Sequence, residues 1–163
     1  MSRQQAAPDV YQAHTMTSTA SWGTAAGATL HCLTGCAIGE VLGLVLASWW
    51  GWSTGPSIGL AVILAFVFGY GLTMRPVLKA GLTFRDALMV AFAADTVSIT
   101  VMEIMDNLTI IAIPGAMAAG LVSGLFWASL AVSLAVAFVV TTPVNKYTIA
   151  RGRGHAVVHK YHH

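Results

Sequence analysis

Charge is what this chain has least of. Only 9% of its 163 residues are charged, whereas 56% are hydrophobic, and an ordinary soluble domain carries about 25% charged residues. That deficit excludes a soluble globular fold. Cysteine is nearly as scarce, with Cys32 and Cys36 the whole complement. Side chains four apart on one helix point in nearly the same direction, so these two are badly placed to bond to each other and no intrachain disulfide is expected. Residues 1–21 are polar and lack a short apolar core followed by a small-residue cleavage site, so no removable signal peptide is expected. There is no glycine-rich phosphate loop and no Gly-x-Ser-x-Gly nucleophile elbow. These absences leave an enzyme the less favoured reading.

What the chain does have is apolar length. A bilayer core about 30 Å thick needs roughly 20 apolar residues per helix, and the sequence supplies four such stretches. The first runs from about Trp22 to Trp50 and the second from about Pro56 to Thr73, joined by the uncharged turn 51–55. The third runs from Phe84 to Ile113, and the fourth follows Pro114-Gly115 and ends near Thr142-Pro143. The expected fold class is therefore all-α, a polytopic four-helix membrane bundle over residues 22–142. A polar tail of residues 1–21 precedes it, and a basic, His-rich tail of residues 143–163 follows. Thirty helical residues would be about 45 Å long, so the third span must tilt or break, with Asp106-Asn107 the expected break point.

The bases are segregated. Arg75, Lys79 and Arg85 lie between the second and third spans, Lys146, Arg151, Arg153 and Lys160 follow the fourth, and Arg3 precedes the first. Lys- and Arg-rich short loops stay cytoplasmic, which puts both termini in the cytoplasm of a plasma (inner) membrane protein. Trp49, Trp50 and Trp52 would anchor the opposite interface. Topology accounts for these bases, so no nucleic-acid partner is expected and the lipid bilayer is the first one.

Small residues recur at every fourth position: Gly23, Gly27, Gly35, Gly39 and Gly43 in the first span, with His31 in the gap. Close backbone approach at small residues is how helices associate in lipid. The fourth span offers Gly120, Gly124 and Ala128, and also Gly115, Ala119 and Ser123. Any of these ridges would serve internal packing, a homo-oligomer, or docking as an accessory subunit of a larger membrane complex.

Four of the six acids, Glu40, Asp95, Glu103 and Asp106, lie inside apolar spans with no Lys or Arg to neutralise them. Ionisable groups at membrane depth are expensive and commonly mark ion pathways. Such carboxyls must be protonated, hydrated in a cavity, or holding a cation. Counted at about 1.5 Å per residue, Cys32 falls level with Asp95, and Glu40 with Glu103. Cys32, Cys36 and Glu40 share one face of the first span, and Asp95, Ser98, Met102 and Asp106 form a stripe on the third, flanked by Glu103 and Met105.

Thiolate, imidazole and thioether suit copper(I) or zinc, while carboxylates suit harder ions or protons. The expected metal-ion site therefore draws on His31, Cys32, Cys36, Glu40, Asp95, Met102, Glu103 and Asp106. The tail residues His155 and His159, with His162 or His163, would share a face if helical and add imidazoles on the cytoplasmic side. The plain alternative treats the cysteines as small apolar residues and the methionines as core filler. A carboxylate relay carrying protons is the remaining alternative. With His31 the sole histidine inside a span, a haem held by two histidines would need a second chain.

Three blocks carry a resemblance: His31-Cys32-Leu33-Thr34-Gly35-Cys36 with Gly39-Glu40, then Met102-Glu103-Ile104-Met105-Asp106-Asn107, and Pro143-Val144-Asn145-Lys146 leading into Arg151-Gly152-Arg153-Gly154-His155. Through them the chain resembles an uncharacterised bacterial integral membrane family, domain of unknown function 4396, from Trp22 onward. The resemblance implies a membrane protein in which these polar blocks belong together. It implies no substrate and no catalytic residue.

Overall fold

The computed structural model describes residues 21–151, and the expected tail histidines His155 and His159 lie outside them. Within that range the chain forms α1 (Trp22–Trp49), α2 (Thr54–Lys79), α3 (Phe84–Ala112), a short 3-10 turn (Ala116–Ala118) and α4 (Gly124–Ala150). Each of the four α-helices is long and apolar enough to cross a membrane, so the protein is an all-α, multi-pass membrane protein.

Capping side chains fix three of the helix starts. Ser21 Oγ accepts from the Thr24 amide at 3.0 Å, Thr83 Oγ1 from the Asp86 amide at 3.3 Å, and Ser123 Oγ from the Leu125 amide at 3.2 Å. Each hydroxyl satisfies an amide that the helix itself leaves without a partner. Gly51 (φ 65°), Gly81 (φ 89°) and Gly115 (φ 81°) turn the chain after α1, α2 and α3 in a left-handed backbone that side-chain-bearing residues rarely adopt.

The helices pack as a ring. α1 makes its largest contact with α2, α3 packs on α4, the α1–α4 and α2–α3 contacts close the circle, and α1 also touches α3 across the diagonal. The α1–α2 seam is made of the predicted small residues. A Cβ added to Gly35 would fall 2.7 Å from the Gly69 Cα, and one on Gly43 2.5 Å from the Ala61 Cα, with Gly39 even tighter against the Ala65 backbone. The gap in the glycine row is filled in register, since His31 Nε2 lies 3.2 Å from Thr73 Oγ1. Thus His31, Gly35, Gly39 and Gly43 run antiparallel to Thr73, Gly69, Ala65 and Ala61. Gly23 and Gly27 have no such close neighbour.

Three expectations are corrected. The third span does not break at Asp106-Asn107: α3 is continuous for 29 residues, with the Asn107 side-chain amide donating to the Glu103 carbonyl at 2.8 Å inside the helix. Its excess length is carried by tilt or by end turns beyond the hydrocarbon. The fourth helix begins at Gly124 and runs through Pro143 to Ala150, rather than following Gly115 and ending near Pro143. Proline is tolerated inside membrane helices because neighbouring groups take over the freed hydrogen bonds. Gly115, Ala119 and Gly120 therefore lie in the connection rather than on a helical ridge, and Trp127 Nε1 ties that connection down by donating to the Leu121 carbonyl at 2.9 Å.

The seam generates a stability prediction. Gly39→Val should cost about 1–3 kcal/mol through overpacking, seen as an earlier midpoint in detergent unfolding, whereas Gly27→Ala, with open space around it, should leave the midpoint nearly unchanged.

Candidate polar core across the α1–α3 diagonal

The residues that follow the seam in sequence lie about 100° further round α1. Cys32, Cys36 and Glu40 each come one position after His31, Gly35 and Gly39, so pressing α1 onto α2 turns these side chains toward the bundle centre. There they meet α3. The four acids are all buried, with fractional exposures of 0% for Asp95, 4% for Asp106, 7% for Glu40 and 9% for Glu103. None sits at the rim.

The contacts form rungs between the two helices. The Cys32 thiol donates to Asp95 Oδ1 at 3.4 Å. One turn on along α1, the Cys36 thiol faces the Glu103 carboxyl, two turns past Asp95 on α3, and one turn further along α1 the carboxyls of Glu40 and Asp106 face each other. Both cysteines are free and buried, as the helical spacing predicted. Met102 is buried among Cys32, Cys36, Ala65, Ile99 and Ala137, with Met105 packed beside them. His31 is half-buried and joins the lower rung through Thr73, whose hydroxyl stands between its ring and the Asp95 carboxyl.

Sequence reasoning missed α4. Its inner face carries Ser129, Ser133, Ala137, Thr141 and Asn145, all buried at every fourth position. The same spacing singled out the glycines of α1, but hydroxyls in an apolar run attract less notice than charges. Ending the fourth span at Pro143 also left Asn145 outside the membrane domain. In the structure Asn145 is a three-helix node: Ser98 Oγ donates to its Oδ1, and its Nδ2 donates to Thr29 Oγ1 at 2.9 Å. Thr29 in turn donates to the Ala25 carbonyl at 2.9 Å.

The two ends of this core differ. Around Asn145 the polar groups are paired. Around Asp106 they are not: both carboxylate oxygens, and the hydroxyl of Ser129, are buried with no hydrogen-bond partner, although Ser133 and Glu40 stand against the Asp106 carboxyl. A cavity of about 180 Å³ reaches this unpaired region, lined by Glu40, Glu103 and Ser129 together with wall residues such as Leu44, Trp52 and Phe126. Among the described residues no three His, Cys, Asp or Glu side chains converge closely enough to hold a metal ion. What the arrangement offers is a ladder of paired sites, two thiol–carboxyl and one carboxyl–carboxyl.

Asp106→Asn should stabilise the protein. The new amide would give the facing Glu40 carboxyl a donor where two acids now oppose each other, and a hydrogen bond of this kind contributes about 0.5–1.5 kcal/mol. The thermal midpoint in detergent should rise by roughly 1–6 °C at neutral pH. A lowered midpoint would contradict the unpaired geometry.

Comparison with known proteins locates the chain without assigning its activity. No curated protein and no solved structure matches it. A family model described as a domain of unknown function, DUF4396, matches residues 21–154. That range takes in all four helices and every rung of the polar core, and the chain belongs to the DUF4396 family.

Proposed function

We propose that this protein binds a transition-metal ion, copper or zinc, and passes it along the ladder between α1 and α3. The observation that supports this reading is the pairing of each buried thiol with a carboxyl from the diagonal helix, Cys32 with Asp95 and Cys36 with Glu103. A soft cation replaces the thiol proton and takes thiolate and carboxylate as ligands, releasing that proton as it binds. Each rung then supplies one thiolate and one carboxylate ligand, with His31 and Met102 as soft donors nearby. Transfer from rung to rung exchanges one such pair for the next. No covalent substrate chemistry is assigned to any residue.

The same reading sets the protein in the plasma membrane with the α2–α3 end in the cytoplasm, because Arg75, Lys79 and Arg85 gather there. His155 and His159 would receive or collect ions on that side. Lys146, whose Nζ lies 4.2 Å from the Trp22 ring centre, fits an interfacial position at the same end. Gly23 and Gly27, open on the outside of α1, would serve a second copy or a partner subunit.

A second reading, a proton relay, is favoured by one observation: no three His, Cys, Asp or Glu converge among the described residues, and a relay needs only pairwise neighbours. Metal content separates the two. After loading with copper(I) or zinc and desalting, the purified wild-type protein should retain stoichiometric metal, while Cys32→Ser, Cys36→Ser should lose it with its helical circular dichroism intact. A wild-type protein that retains neither metal refutes the first reading. Proton flux in proteoliposomes with metal chelated, abolished by Glu40→Gln or Glu103→Gln, would establish the second.

A further inference from the structure

We infer that the cavity between the α1–α2 turn and the α3–α4 connection is a one-sided, water-filled loading site for cations. It is walled off from the thiols that lie beyond its floor. This deepens the proposed ion passage by naming where the cation arrives, and it rests on that reading for the onward step alone.

The lining residues differ in depth. Trp52, Thr54 and Met117 line the cavity and are exposed, so they mark a mouth. Glu40 and Glu103 lie nine residues in from the ends of α1 and α3, about 13 Å along each helix, so they mark a floor. Ser129, buried to more than nine-tenths, also lines the cavity, and its hydroxyl has no hydrogen-bond partner among the described residues. Two carboxyls at the bottom of a space of about 180 Å³, with an unsatisfied hydroxyl beside them, call for polar occupants. One water needs roughly 10–15 Å³ of such space, so there is room for a partly hydrated ion.

Beyond the floor the bundle is closed. Cys32, Cys36, Ile99, Met102, Ala65 and Ala137 pack together, and neither cysteine lines the cavity. Towards the α2–α3 end a second apolar cluster, Met74, Val77, Ala87, Val90, Ala91 and Ala94, fills the space between α2 and α3. The conformation described is therefore open at one end and shut at the other. A cation entering here meets hard oxygen ligands first and reaches the soft thiols after leaving its water behind.

Thiol labelling tests this in the Cys32→Ser, Cys36→Ser background, where only an introduced cysteine reacts. Ser129→Cys and, as a second wall position should that variant fold poorly, Leu44→Cys are each treated with membrane-impermeant thiol reagents. Intact cells and inverted vesicles are compared. Both positions should react from one and the same side, and Ser98→Cys should react from neither. A positively charged reagent should outpace a negatively charged one at Ser129→Cys by about tenfold or more, since carboxylates in a low-dielectric cleft concentrate cations. Glu40→Gln, Glu103→Gln should erase that ratio. Labelling from both sides, from neither side at both wall positions, or with no preference for the cationic reagent overturns the inference. Because both native thiols are absent throughout, a failure of the metal reading would leave this result standing, and the reverse holds equally.

Discussion

The backbone contact between α1 and α2 is the constraint on which the rest of the structure depends. Gly35, Gly39 and Gly43 have no room for a Cβ against Gly69, Ala65 and Ala61, so the two helices sit closer than side-chain-bearing helices can. That closeness lets α1 also touch α3 across the ring. In lipid the contact cannot be driven by hydrophobic exclusion, because the tails are as apolar as the helices, and it relies on close van der Waals packing instead. The glycine row therefore acts on chemistry it does not touch, by setting how far the thiols and carboxyls of α1 reach towards α3.

The polar core divides into halves with different energetics. Near the α2–α3 end, Asn145 links Ser98 and Thr29, Tyr70 shares a hydrogen bond with Thr96 at 3.0 Å, and His31 reaches Thr73. Satisfied networks of this kind fix one arrangement of helices and disfavour others. Near the other end Asp106 and Ser129 keep buried atoms without partners, each at a cost that a purely structural bundle would avoid by carrying Ala or Val there. A cost retained on one side of the molecule, beside a cavity, is where an occupant would be stabilised.

Much of this was legible in the sequence. Composition and apolar length gave four spans, the period of four gave the α1 seam from His31 to Gly43, and counting residues gave the Cys32–Asp95 rung, because helical rise is constant. It set Glu40 level with Glu103, whereas the structure faces Glu103 with Cys36 and Glu40 with Asp106. Three other things were not legible. The span ends at Gly115 and Pro143 were misplaced because proline and glycine usually mark boundaries in water, while a membrane helix tolerates proline and the Gly115 turn lies before a connection rather than a helix. The break expected in α3 rested on polar residues that form hydrogen bonds within their own helix, as Asn107 does with the Glu103 carbonyl. The α4 row went unseen because Ser and Thr in an apolar run are individually cheap, and their alignment matters only once α4 is known to face the core.

The chemistry of the rungs bears on what kind of ion such a core favours. For protons alone, the donors facing Asp95 and Glu103 could be serines, since a hydroxyl is the stronger hydrogen-bond donor and joins relays readily, whereas a thiol is a weak one. Cysteine is the better choice where the ion to be held is soft and must be taken from water into an apolar interior, because thiolate binding offsets the lost hydration in a way that hydroxyl cannot. Carboxyls stand at every rung, but only those of Glu40 and Glu103 line the cavity, and neither thiol does. Hard ligands suit an ion that still carries water, and soft ligands suit one that has shed it. Sulfur therefore joins oxygen only where the same two helices close over the core.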